Sequence, residues 1–136
     1  MNGKVKDVVI IGAGPAGMTA ATYASDGGLS VTLLERGMCG GQMAISSVIE
    51  NYPGVGNIKG YELCEMMLRR VEECGIVPTS DAARRIEAVA DGFRVSGDAD
   101  EYYGRCVIIA GGVKRREAGF DGERKYVGRG DRKSVV

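Results

Sequence analysis

The sequence has no histidine. The commonest general base near neutral pH is therefore missing. Any chemistry this chain takes part in is expected to be carried by a cofactor, not by an acid–base dyad. Four cysteines are present, at Cys39, Cys64, Cys74 and Cys106, but no two form a Cys-x-x-Cys pair. A zinc site is not expected from that pattern, and in a reducing compartment the thiols would be free. There is no excess of charge either, since 18 Lys and Arg balance 18 Asp and Glu. The electrostatic argument for nucleic acid or an anionic membrane as partner falls away. No apolar run approaches the roughly 20 residues that span a bilayer. No basic segment followed by an apolar stretch and a cleavage site opens the chain, so a cytoplasmic location is expected.

What the sequence has in abundance is glycine. There are 22 in 136 residues, without a collagen-like period. They cluster at the ends of apolar runs, which points to loops where backbone approaches something closely. Asp7 to Ile11 is a continuous β-branched run, the pattern of a strand buried on both faces. Gly12-Ala13-Gly14-Pro15-Ala16-Gly17 follows at once. Met18 to Ser25 is helix-compatible, Gly27-Gly28 ends that helix, and Leu29 to Leu34 reads as a second buried strand with Glu35 at its end. This is a βαβ unit of about 30 residues.

The spacing has a physical rationale. Gly12 allows the sharp turn out of the strand, Gly14 lets a pyrophosphate approach the backbone, and Gly17 lets helix and strands pack closely. The helix N-terminus presents unpaired N–H groups to the phosphates. Its field is worth about 0.3–1 kcal/mol when exposed and up to about 2 when partly buried. Glu35 lies about 20 residues beyond the glycines, where a ribose-binding acid is expected. Such a carboxylate contributes about 1.5–3 kcal/mol through hydrogen bonds to the ribose and repels a 2′-phosphate. The loop should therefore bind the ADP half of a dinucleotide and reject NADP. A tight turn with packing glycines and a solvated Glu35 would explain one or two of these glycines but not the set.

Arg36 to Asn57 reads mostly as loop. Gly40 and Gly41 permit close backbone approach. Gln42 and Asn51 carry amides that suit a flavin ring and its ribityl chain. The same stretch also suits an ordinary surface loop, with Pro53-Gly54 as its turn. These residues alone leave both readings open.

Gly12 to Gly17 (GAGPAG), Glu35 to Gln42 (ERGMCGGQ) and Glu50 to Gly54 (ENYPG) together resemble the low-molecular-weight thioredoxin reductase family. Val107 to Gly112 (VIIAGG), Gly122-Glu123 and Val127 to Gly130 (VGRG) continue the resemblance in order. It implies an α/β, Rossmann-like FAD-binding domain: a parallel central sheet, crossover helices and a small antiparallel β insertion, incomplete here. It implies a flavoprotein in which FAD carries electrons from NADPH to a cysteine pair and on to thioredoxin, in a homodimer when complete. By position, Gly12 to Gly17 hold the pyrophosphate, Glu35, Arg36, Gly40, Gly41 and Gln42 run from the adenosine ribose toward the flavin, and Asn51 lies near the flavin. Ala110 and Gly112 match an Ala-Thr-Gly turn in which Gly111 replaces the usual threonine. Cys39 stands where proline is common.

The remaining chain is expected to fit that architecture. Gly60 to Gly75 reads as an amphipathic helix with Leu63, Met67, Val71 and Cys74 on one face, so Cys64 and Cys74 read as core or boundary residues. Ile76 to Pro78 reads as a short strand. Arg85 to Ala90, Gly92 to Ser96 and Glu101 to Tyr103 read as a small antiparallel sheet with a turn at Asp91-Gly92. Arg105 to Ala110 reads as a buried strand on which Cys106 is a small buried hydrophobe. Lys114-Arg115-Arg116 reads as a solvated turn.

The cysteine pair, the NADPH domain and the C-terminal FAD segment implied by the resemblance are absent from the sequence. Residues 1–130 are therefore expected to be the N-terminal part of the FAD domain, inactive alone. Residues 131–136 are expected to be a non-native tail. The codons GAT CGG AAG AGC GTC GTG, followed by the stop TAG and preceded by GGA for Gly130, would spell a common sequencing adapter. Two other readings stay open. One is the FAD segment of a ferredoxin- or flavodoxin-dependent NADP reductase. The other is a non-catalytic dinucleotide-binding module.

Overall fold

The computed structural model describes residues 5–114, 116, 117, 119 and 121–126. Arg115, the Val127 to Gly130 motif and the 131–136 tail lie outside the described residues. The chain begins with strand β1 (Lys6–Ile11), helix α1 (Pro15–Asp26) and strand β2 (Val31–Glu35). Strands β1 and β2 pair in parallel, Val8 with Val31 through Ile11 with Leu34. Helix α1 ends where expected, with Gly27 as its cap. The second strand starts at Val31, not Leu29, because Ser30 is held by the first strand instead: its N–H and hydroxyl both donate to Asp7 Oδ2, at 2.8 and 2.6 Å.

A four-residue helix α2 (Gly41–Ala44) interrupts the expected loop, and Ile49 bridges Ile58. Helix α3 (Gly60–Glu73) follows, packed on α1. Its apolar positions lie as the spacing predicts. Leu63 and Val71 are buried, and Met67 and Cys74 pack against the core from its margin. Strand β3 is Thr79–Ser80, parallel to β2, and not the expected Ile76 to Pro78. Pro78 has no N–H to give to a ladder, so pairing begins only after it.

Strands β4 (Arg85–Val89) and β5 (Gly92–Ser96) form the expected hairpin, but its turn is Ala90-Asp91 and not Asp91-Gly92, because Val89 pairs with Gly92 and draws that glycine into the ladder. The two stretches expected as separate strands around Tyr103 and Arg105 are one strand, β6 (Glu101–Ile109). Its first half pairs antiparallel with β5 and its second half parallel with β1; Gly104 faces both Phe93 and Lys6. The antiparallel insertion is thus continuous with the parallel core in one six-stranded sheet, ordered β3-β2-β1-β6-β5-β4. A short helix α4 (Glu123–Tyr126) comes last among the described residues.

Side chains alternate across a strand, and β1 divides the core accordingly. Val8 and Ile10 join Leu33, Met18, Ala21, Val71 and Ile76 under α1 and α3. Val9 faces the other way and meets Leu34 and Val95 in a smaller cluster. That second face has thinner cover. Ile109, level with Ile11 on that face, is 73% exposed, and Cys106, expected to be buried, is exposed on the first face, level with Val8. Of the described helices α1 makes the main contact with β6, whereas a strand buried on both faces needs a full layer on each.

Candidate dinucleotide-binding site

The carboxyl ends of β1, β2 and β6 open onto a cleft of about 560 Å3. Its walls are the Gly12 to Ala16 turn, Glu35 and Arg36, the start of α2, and Ile109 to Val113. A cleft beyond the carboxyl ends of parallel strands is where an open α/β sheet binds ligands.

The three glycines of the first turn have separate duties. Gly12 has φ +102°, and a Cβ there would sit 2.4 Å from the carbonyl oxygen of Ala110. Both the turn and the close approach of β6 therefore require glycine. At Gly17 a Cβ would meet the Gly12 carbonyl oxygen at 1.7 Å, so the first turn of α1 lies against the loop. Gly14 is the opposite case: nothing lies within 4 Å of its would-be Cβ. That open space adjoins the N-terminus of α1, where Gly14 supplies no side-chain cap, Pro15 occupies the first turn and no acidic residue is present. The free N–H groups and the positive end of the helix dipole are left for an anion from outside the helix.

Glu35 stands across the cleft. Its Oε2 accepts the Ala13 N–H at 2.7 Å, and its Oε1 accepts the Gly37 N–H at 2.9 Å. The carboxylate is thereby fixed at the edge of the glycine turn. Each oxygen keeps a lone pair for a further donor. The backbone closes the same corner, since Gly40 N–H donates to the Ala13 carbonyl at 2.8 Å. Gly40 has φ +108° and packs over Cys64, whose thiol donates to the Gly40 carbonyl at 3.6 Å. Burial, with Glu35 nearby, pushes the Cys39 thiol up; burial, with Cys39 nearby, pushes the Cys64 thiol up. Both are held protonated, unlike reactive thiolates.

The cleft brings together Gly12, Gly14, Pro15, Ala16, Glu35, Arg36, Gly41, Gln42, Ala110 and Gly112. Ala13, Gly17 and Gly40 lie behind the wall and act by packing and backbone hydrogen bonds. Asn51 is exposed on the loop after the Ile49 bridge and is not part of the cleft wall. The structure adds Met43 and Val113, for which the sequence carried no signal, and Ile109 and Gly111 from within the VIIAGG stretch. It also adds a second lobe of about 180 Å3 beside Glu35 and Arg36, walled by residues 81–84. Lys114 and Arg116 are exposed, as a solvated turn would be.

A mixed sheet with a parallel core, a glycine turn after its first strand, an uncapped helix end and an acid on the next strand define an α/β domain of the Rossmann-like class. The profile of the pyridine nucleotide-disulphide oxidoreductase family matches residues 6–134, and the chain belongs to that family. It is 45% identical over 130 residues to a thioredoxin reductase of Bacillus subtilis and 43% identical to one of Listeria monocytogenes. Each alignment covers 93% of this chain and 40% of the relative. Among solved structures, thioredoxin reductase from Lactococcus lactis superimposes with a TM-score of 0.83 at 41% identity, over 91% of this chain and 41% of that one. A ferredoxin-flavin thioredoxin reductase from Clostridium acetobutylicum gives 0.78 at 28% identity, over 93% of this chain and 44% of that one. The chain thus spans about 40% of the length of the curated relatives it matches.

Proposed function

We propose that this chain is the N-terminal FAD-binding segment, residues 1–130, of an NADPH-dependent thioredoxin-disulfide reductase. The observation that carries the reading is the pairing, in one cleft, of an open Gly14 at an uncapped helix end with a fixed Glu35 carboxylate. The first suits a pyrophosphate and the second suits ribose hydroxyls. Gly12, Gly14, Pro15 and Ala16 would hold the pyrophosphate, Glu35 and Arg36 the adenosine end, and Gly41, Gln42, Ala110 and Gly112 the start of the flavin side. Asn51 would reach the flavin only once its loop is covered. The bound flavin would supply two-electron transfer between a nicotinamide and a disulfide.

Glu35 disfavours a 2′-phosphate, so NADPH would bind elsewhere in the full protein, as would the cysteine pair that passes electrons to thioredoxin. A homodimer in the cytoplasm completes this reading. The exposed Ile109 and Val113 at the cleft mouth support the need for further protein over the flavin. The likeness to the ferredoxin-flavin enzyme, at lower identity, supports a second reading in which only the electron donor differs.

The test exchanges residues 5–126 into the Bacillus subtilis thioredoxin reductase in place of the matching segment. The exchanged enzyme should carry stoichiometric flavin and reduce thioredoxin with NADPH, while the isolated chain, with its flavin side uncovered, holds FAD weakly and through the ADP half alone. A soluble, folded exchange protein without flavin would overturn the reading.

A further inference from the structure

Asp81 is a buried carboxylate, 6% exposed, whose oxygens are taken up by backbone N–H groups and a hydroxyl, with the Arg84 charge nearby. It sits just after β3, where its N–H donates to the Glu35 carbonyl at 3.0 Å. Its Oδ1 accepts the N–H groups of Ala82 and Asp98, each at 2.8 Å, and of Ala99 at 3.2 Å. Its Oδ2 accepts the Asp100 N–H at 3.2 Å and the Tyr102 hydroxyl at 2.8 Å. The turn that joins β5 to β6 is thus wrapped around one side chain. Gly97 leaves room for it, since a Cβ there would stand 2.1 Å from Asp81 Oδ2. The turn in turn grips Arg84, whose Nε and Nη2 donate to the two carboxylate oxygens of Asp98 at 2.7 and 2.6 Å.

Residues 81–84 are the outer wall of the lobe beside Glu35 and Arg36. The lobe shares Gly12, Glu35 and Arg36 with the main cleft but not Gly14 to Ala16 at the helix N-terminus, so it receives what the ribose carries away from the phosphates. The segment has no sheet pairing of its own beyond Ser80. Asp81 anchors it at one end and Arg84, whose N–H donates to the Ser96 carbonyl at 2.8 Å, at the other, with Ala83 packed on the Val9 cluster between them.

We propose that Asp81 is a positioning residue for nucleoside recognition: it touches no ligand, but it holds residues 81–84 against the Glu35 corner. The proposal rests on the nucleotide-site reading above. A buried carboxylate that gathers five donors from separate segments fixes backbone far more firmly than a loop could alone.

The test uses the full chain with ADP and inorganic pyrophosphate as probes, followed by amide chemical shifts. Tyr102→Phe removes one of the five donors while keeping the ring, and Asp81→Asn removes the charge. Tyr103→Phe, whose hydroxyl meets Glu101 and Arg94 and not Asp81, is the control. Tyr102→Phe and Asp81→Asn should raise the ADP dissociation constant about tenfold, as lost supporting contacts do elsewhere, while pyrophosphate binding changes less than about twofold. A general loss of folded protein would weaken both probes alike. Equal weakening of ADP and pyrophosphate, or unchanged ADP binding in Tyr102→Phe, would overturn the proposal alone. Failure of the unaltered chain to bind ADP would overturn the nucleotide-site reading and this proposal with it.

Discussion

Replacing Glu35 by Gln should destabilise the chain even with no nucleotide present. Glu35 is the side chain that ties the glycine turn to the end of β2, through 2.7 Å to Ala13 and 2.9 Å to Gly37, beside the backbone bond from the Gly12 N–H to the Leu34 carbonyl at 2.7 Å. Gln offers one carbonyl oxygen and one NH2, so it can satisfy only one of the two N–H groups. The Ala13 N–H belongs to a fully buried residue, while Gly37 is exposed. The amide should therefore turn its oxygen to Ala13 and leave Gly37 to water. A charge-assisted bond becomes a neutral one, and a partly solvated bond is lost, a cost of about 1–2.5 kcal/mol. Ala at this position leaves the Ala13 N–H with no partner and should cost more, about 2–4 kcal/mol. For a chain of this size the Gln variant should melt about 4–10 °C lower. Thermal unfolding followed by circular dichroism, without ligand, measures the series. Identical midpoints for the parent, Gln and Ala proteins would refute the clamp and leave Glu35 as a ligand contact alone.

Other consequences are equally direct. Gly17→Ala should abolish nucleotide binding and lower stability sharply, because the new methyl meets the Gly12 carbonyl; a variant that melts and binds ADP like the parent would contradict this. The Asp81 carboxyl lies below its ordinary value. Burial alone would raise it, but the Tyr102 hydroxyl and the amides of Ala99, Asp98 and Asp100 more than offset that. Its contribution is therefore present above the unfolded carboxyl value of about 3.9 and lost as pH falls through the lower folded value. The urea midpoint of the parent should drop faster below pH 4 than that of Asp81→Asn. Burial, together with the same contact, pushes Tyr102 up to about 12, so part of the tyrosine absorbance should titrate well above the ordinary value of about 10. Thiol labelling of the native chain should reach Cys106 first and Cys64 last, since one is exposed and the other buried beneath Gly40. Asp26→Asn, which breaks an ion pair to Arg70 between half-exposed side chains, should not move the melting midpoint measurably.

The sequence by itself determined the βαβ unit. A β-branched run, a glycine turn and a helix ended by paired glycines are local signals, each set by backbone sterics within a few residues. The spacing from Gly17 to Glu35 placed the acid, because one helix and one strand have fixed rise per residue. Only the tertiary structure decided which glycine meets the ligand: Gly12 and Gly17 are spoken for by Ala110 and by each other, and Gly14 alone is open. It also decided that Glu35 first binds backbone, that Tyr103 and Arg105 share one strand, and that Cys106 faces outward. Asp81 was not legible at all, since nothing in the local pattern distinguishes it from a loop acid. Its five donors come from residues 82 to 102, brought round by the β4–β5 hairpin. Local sequence fixes dihedral angles and periodicity. Which groups satisfy a buried charge depends on segments that meet only when the sheet has formed.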